Sequence, residues 1–166
     1  MSAAPGAADL LRLAAELLEH CRQRKLTVVT AESCTGGLVA SSLVAIAGSS
    51  DVLDRGFVTY SNAAKHETLG VPWPLLLSYG AVSEPTARAM CEGALRASRA
   101  DLAVSITGIA GPGGGTADKP VGLVHFGAMR RDGPQIAEHH VLPGDRTEIR
   151  QTSVAIAFRL LRRIAT

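Results

Sequence analysis

Three short segments of this 166-residue chain carry residue types able to do chemistry together. The first is Glu32-Ser33-Cys34-Thr35-Gly36-Gly37. A serine placed directly after a strand, with two glycines and a helix behind it, sets its hydroxyl near the backbone N–H groups of a helix start. Such donors hold a phosphate or the oxyanion of a tetrahedral intermediate. Ser33 is therefore a candidate nucleophile, with Thr35, Gly36 and Gly37 as candidate contacts to the anion. The competing role for Ser33 or Thr35 is that of a plain helix cap. No lysine follows the glycines, so this is not a Walker loop, and it is not a GxSxG elbow. Cys34 is a rival nucleophile, because a thiol at a helix N-terminus ionises more readily.

The second segment is Thr59-Tyr60-Ser61-Asn62-Ala63-Ala64-Lys65. With Asn62 as N-cap of a helix over Ala63–Leu69, Lys65 falls in the first turn, where the helix dipole disfavours a cation. Partial burial would push it further toward the neutral form and make it a usable base. The alternative is an ordinary solvated lysine. The third segment, Thr107–Pro120, holds five glycines and two prolines in fourteen residues. That composition fits either a backbone that approaches a ligand closely, at Gly108 and Gly111 among others, or a merely flexible loop. The five histidines have no metal-ligand spacing and the acidic residues are dispersed, so no metal site is expected.

The elements that must position these residues follow from periodicity. Leu10, Leu11, Ala14, Leu17, Leu18 and Cys21 mark an amphipathic helix over about 8–24. Thr27–Ala31 reads as a buried strand and Leu38–Ala47 as an apolar helix that Gly48 could end. Gly56–Ser61 is a second strand, and 74–79 a short helix. Ser83 caps a longer helix over about 84–99, and Asp101–Thr107 contains a third strand, LAVSI. Val121–Met129 and Gln135–Leu142 flank a turn at 131–134 and pair as a hairpin. Asp145 with Glu148 forms a capping box for a last helix. Alternating helices and strands with a late hairpin give the α/β class: a three-layer α/β/α domain around a mixed sheet of about five strands.

Composition closes off other classes. Hydrophobic residues make up 46% and charged residues 19%, as in a compact globular chain. The net charge of +2 is spread out and aromatics are only 4%, which argues against a nucleic-acid partner. Three cysteines without CxxC spacing suit a reducing compartment, and the first residues show no export signal, so a cytoplasmic location is expected. The uncharged run 33–50 carries five serines and reads as loop and helix rather than a membrane span.

TAESCTGG over Thr30–Gly37, GFVTYSN over Gly56–Asn62 with Lys65, GAVSEP over Gly80–Pro85, and TGIAGP over Thr107–Pro112 with KPVG at Lys119–Gly122 together resemble the CinA C-terminal domain family. The similarity runs from about residue 8 to the end. That family includes stand-alone nicotinamide mononucleotide deamidases. The resemblance implies hydrolysis of the carboxamide of nicotinamide mononucleotide to nicotinate mononucleotide and ammonia, with no metal or organic cofactor. Matched position by position, Ser33 is the nucleophile and Lys65 the general base, with Tyr60 and Thr107 as further polar residues of the catalytic set. Arg146 matches an arginine that assists; its planar fork at a helix start suits a phosphate. Thr35, Gly36, Gly37, Asn62, Gly108 and Gly111 complete the expected substrate contacts. The larger CinA proteins carry another domain ahead of this one, so a single domain over 1–166 is expected here, as a homodimer without nucleic-acid or membrane partners. Two other readings stand beside this one: a different amide or nucleotide substrate, and a non-catalytic nucleotide- or partner-binding module.

Overall fold

The computed structural model describes residues 3–166; Met1 and Ser2, part of the expected 1–166 domain, lie outside the described residues. Helix α1 (Ala7–Gln23) buries Leu10, Ala14, Leu17, Leu18 and Cys21, the stripe that its helical period sets. Strand β1 (Val28–Glu32) is buried at all five positions, as a central strand covered on both faces must be. Helix α2 (Leu38–Val44) follows, then β2 (Leu53–Val58), α3 (Asn62–Leu69), α4 (Trp73–Tyr79) and α5 (Glu84–Arg96). Strands β3 (Leu102–Gly108), β4 (Leu123–Arg130) and β5 (Gln135–Val141) lead to the final helix α6 (Arg146–Ile164).

The five strands form one mixed sheet in the order β2-β1-β3-β4-β5. The first three run parallel, while β4 and β5 are antiparallel additions joined as the expected hairpin. Helices α1, α2 and α6 cover one face and α3, α4 and α5 the other, which gives the three layers. Each face has its own apolar core, one built around Leu17, Phe126 and Leu160, the other around Met90, Cys91 and Ala103. No helix among the described residues is long and apolar enough to cross a membrane.

Three boundaries differ from the sequence reading by three residues: β2, the end of α2, and the end of α5, which stops at Arg96 rather than near 99. Strand β2 lies three residues earlier than Gly56–Ser61, because its ladder pairs Leu53 with Val28 and Val58 with Glu32. Thr59 adds one more bond, its N–H to the Glu32 carbonyl at 2.9 Å, and the chain then leaves the sheet. Helix α2 ends at Val44 with Ala45 as its C-cap, so the left-handed Gly48 starts a short 3-10 turn instead of closing the helix.

Parallel β1 and β3 are neighbours whose carboxyl ends diverge. The chain after β1 bends into α2 on one face, and the chain after β3 becomes the glycine-rich loop to β4. A crevice opens between such ends, where α/β sheets hold their ligands.

Candidate active site

Ser33 is the first residue beyond β1, and its N–H extends the ladder by donating to the Ile106 carbonyl of β3 at 2.9 Å. Its Oγ lies 2.9 Å from Nζ of Lys65, which α3 carries in from the side. Lys65 is only 1% exposed, so the surface-lysine alternative falls. Its other contacts are the carbonyl oxygens of Thr59 at 2.9 Å and Tyr60 at 3.4 Å. All three partners are uncharged, and burial holds the ammonium pKa down, from 10.5 to about 8. The carbonyls can only accept. A neutral Nζ therefore donates both hydrogens to Thr59 and Tyr60 and turns its single lone pair to the Ser33 O–H. That is the arrangement a base needs before it takes a proton.

The turn after Ser33 is held from two sides by residues whose roles the sequence did not disclose. The buried Glu32 carboxylate accepts the N–H groups of Gly37, Val39 and Ala40 at 3.0, 3.1 and 2.9 Å, and so caps α2 across its first turn. A carboxylate there also complements the helix dipole. From α6, Arg150 donates through Nε to the Cys34 carbonyl at 3.2 Å and through Nη2 to the Thr35 carbonyl at 2.9 Å.

Four expected substrate contacts, Thr35, Gly36, Gly37 and Asn62, do not line the cavity beside Ser33. Gly37 gives its N–H to Glu32, and Gly36 gives its own to the Ser33 carbonyl at 3.0 Å, so neither is available to an anion. Both glycines have positive φ, +58° and +97°, and serve the turn itself. The Thr35 side chain is fully buried, caps nothing, and lies away from the cavity beside Ser33. Asn62 is exposed and is the first helical residue of α3; the cap is Ser61, whose Oγ accepts from the Ala64 N–H at 3.0 Å. Ser61 wins because its backbone is extended, as an N-cap must be.

The remaining expected residues do converge. A cavity of about 290 Å³ is lined by Ser33, Lys65, Tyr60 and Thr107, by Gly108 and Gly111 of the glycine loop, and by Arg146. Arg146, the first residue of α6, donates to the Gly111 carbonyl at 2.7 Å and to the Tyr60 hydroxyl at 3.2 Å, closing one rim. Thr107 is 1% exposed and donates its hydroxyl to the Ala81 carbonyl at 2.8 Å. Cys34 also borders the cavity, but burial pushes its thiol up to about 11, the reverse of an activated nucleophile. Within the Ser33–Gly36 turn, the N–H groups of Cys34 and Thr35 donate to no other described residue. Arg150 holds the Cys34 carbonyl, and a trans peptide then turns the Thr35 N–H away from Arg150.

This sheet, with a serine–lysine contact at the ends of its parallel strands, is that of a known family. The chain belongs to the CinA C-terminal domain family, whose model matches residues 10–165. Among its relatives, the nicotinamide-nucleotide amidohydrolase PncC of Escherichia coli (strain K12) is 48% identical over 153 residues, which are 92% of this chain and 93% of that protein. A CinA-like protein of Mycobacterium sp. (strain JLS) is 54% identical over 137 residues, 82% of this chain but 32% of that one. The chain thus spans about a third of the length of the CinA-like relatives it matches. The crystal structure of the competence/damage inducible protein CihA from Agrobacterium tumefaciens superposes with a TM-score of 0.90 at 50% identity, covering 97% of both chains.

Proposed function

We propose that this protein is a nicotinamide-nucleotide amidohydrolase that uses Ser33 as nucleophile and Lys65 as base. The observation that carries the mechanism is the 2.9 Å contact between Lys65 Nζ and Ser33 Oγ, in a pocket where Nζ meets only uncharged oxygens. The amide substrate is supported by the match to PncC along nearly the full length of both chains.

Neutral Lys65 takes the Ser33 proton as Oγ attacks the carboxamide carbon, which becomes tetrahedral with its oxygen negative. The Cys34 N–H, next to the nucleophile and donating to no other described residue, is the donor for that oxyanion; such placement recurs in serine hydrolases. Collapse breaks the carbon–nitrogen bond while protonated Lys65 returns its proton to the leaving nitrogen, releasing ammonia and leaving an ester on Ser33. Lys65, neutral again, deprotonates a water that cleaves the ester, and Ser33 recovers its proton as the acid product departs. Arg146, on the rim, holds the substrate phosphate by exchanging its internal partners for phosphate oxygens.

We also read residues 1–166 as one cytoplasmic domain that forms a homodimer and binds no nucleic acid. The family match over 10–165, the three buried free cysteines and the exposed apolar side chains Val58 and Leu77 support this reading. Ammonia release from nicotinamide mononucleotide, beside free nicotinamide, glutamine and asparagine and with a chelator present, tests the substrate. The mononucleotide should be turned over far faster than the other three; equal rates would remove the nucleotide from the account.

A further inference from the structure

Thr107 carries an assignment that follows from one hydrogen bond and from the sheet register. Its Oγ proton is directed to the Ala81 carbonyl at 2.8 Å, a partner that can only accept. What the hydroxyl presents elsewhere is therefore lone pair. Glu32 of β1 pairs with Ile106 of β3, so Ser33 and Thr107 are the next neighbours along the two strands, about 4.8 Å apart at ordinary strand spacing. Successive side chains alternate between faces. Ile106 belongs to the core under α1, α2 and α6, and Glu32 caps α2, so Ser33 and Thr107 both point to the α3 side. Both border the same cavity.

We propose that Thr107 is the residue that tells amide from acid: its Oγ accepts a hydrogen bond from the carboxamide NH2 of the substrate and meets a carboxylate oxygen of the product with lone pair against lone pair. This assignment rests on the amidohydrolase reading above and deepens it. A substrate carbon within reach of Ser33 Oγ places one of its substituents beside the neighbouring strand, and Thr107 is the polar side chain waiting there. The amide nitrogen brings hydrogens and completes the bond. After hydrolysis an oxygen without hydrogens occupies that place, and Thr107 can donate to it only by giving up its bond to the half-buried Ala81 carbonyl. The site thus binds what it must cleave and sheds what it has made.

Binding is measured by calorimetry at pH 9 on the inert Ser33→Ala protein, with nicotinamide mononucleotide and nicotinate mononucleotide as the two ligands. The amide should bind roughly tenfold or more tighter than the acid, the effect of one hydrogen bond gained against one opposed. Adding Thr107→Val, equal in shape but without the hydroxyl, should shrink that ratio to about threefold or less, and the acid should bind no worse than before. Thr107→Ser, which keeps both hydrogen bonds, should restore the ratio. An undiminished ratio in Thr107→Val would overturn the assignment while leaving the amidohydrolase reading intact. A third ligand makes the test independent of that variant. The methyl-ketone isostere of the mononucleotide, which has no hydrogens to donate, should bind Ser33→Ala roughly tenfold more weakly than the amide. Equal binding of the ketone and the amide would also overturn it. Failure of Ser33→Ala to bind the amide at all, with no ammonia released by the unaltered protein, would remove the substrate reading and this assignment together.

Discussion

Replacing Lys65 with arginine separates a proton acceptor from a mere positive charge. Lys65 titrates at about 8 rather than 10.5 because it is buried among uncharged oxygens. At pH 7 about a tenth of the protein then holds Lys65 neutral, and at pH 9 about nine-tenths does. If the neutral form is the base, kcat should rise about tenfold between those pH values and then level off. A lysine with an ordinary pKa would instead give a rate still climbing by about tenfold per pH unit at pH 9. Arginine keeps the charge but cannot deprotonate at any usable pH. Lys65→Arg and Lys65→Ala should both lose roughly two to four orders of magnitude in kcat, and neither should show the rise near pH 8. Adding Ser33→Ala to either should cost little more, since the two residues act as one unit. The assay is ammonia release at saturating nicotinamide mononucleotide from pH 6 to 10. A Lys65→Arg rate within about tenfold of the unaltered protein would end the lysine-base mechanism.

Arg146→Ala should raise KM by roughly tenfold or more with kcat nearly unchanged, because phosphate binding serves ground and transition states alike; a loss confined to kcat would place Arg146 at the reacting carbon instead. Arg150→Gln should lower kcat by about tenfold with KM little changed, since it slackens the turn that aims Ser33 and the Cys34 N–H; an unaltered kcat would show that Glu32 alone fixes the turn. Burial of Lys65 should also appear in stability. The folded state binds its proton less readily than the unfolded chain between about pH 8 and 10.5, so stability rises with pH across that window, and below it the shift costs about 3 kcal/mol. Denaturant unfolding should show Lys65→Met gaining on the unaltered protein at pH 7 and losing that advantage by pH 10; a constant difference would mean Lys65 titrates normally.

Much of this site was legible because local signals carried it. A β-branched run ending in Ser33, a helix start just before Lys65 and a glycine loop after β3 are patterns of near neighbours. Errors of one residue arose where two good candidates adjoin, as with Ser61 and Asn62, either of which can cap a helix. The turn after Ser33 was misread for a different reason. Glycines before a helix usually leave N–H groups free, and nothing local says that Glu32, five residues ahead of Gly37, reaches forward to take them. Arg150 meets Thr35 across 115 residues, so only the packing of α6 against α2 reveals it. One trace was present: Arg150 sits four residues after Arg146, on the same side of α6, so a helix that brings one to the site brings the other. Likewise, Thr59 and Tyr60 reach Lys65 through their carbonyls because β2 ends early, and carbonyl directions have no signature in side-chain types.

Hydrolysis of the nicotinamide mononucleotide carboxamide by the Ser33–Lys65 pair is the step on which the proposed function stands. It is tested most directly by following ammonia and nicotinate mononucleotide together, in the unaltered protein and in Ser33→Ala at equal concentration. The two products should form in equal amounts, and Ser33→Ala should be slower by roughly three orders of magnitude or more while it still binds the substrate. Ammonia formed by Ser33→Ala at a rate within about tenfold of the unaltered protein, or none formed by either, would contradict it.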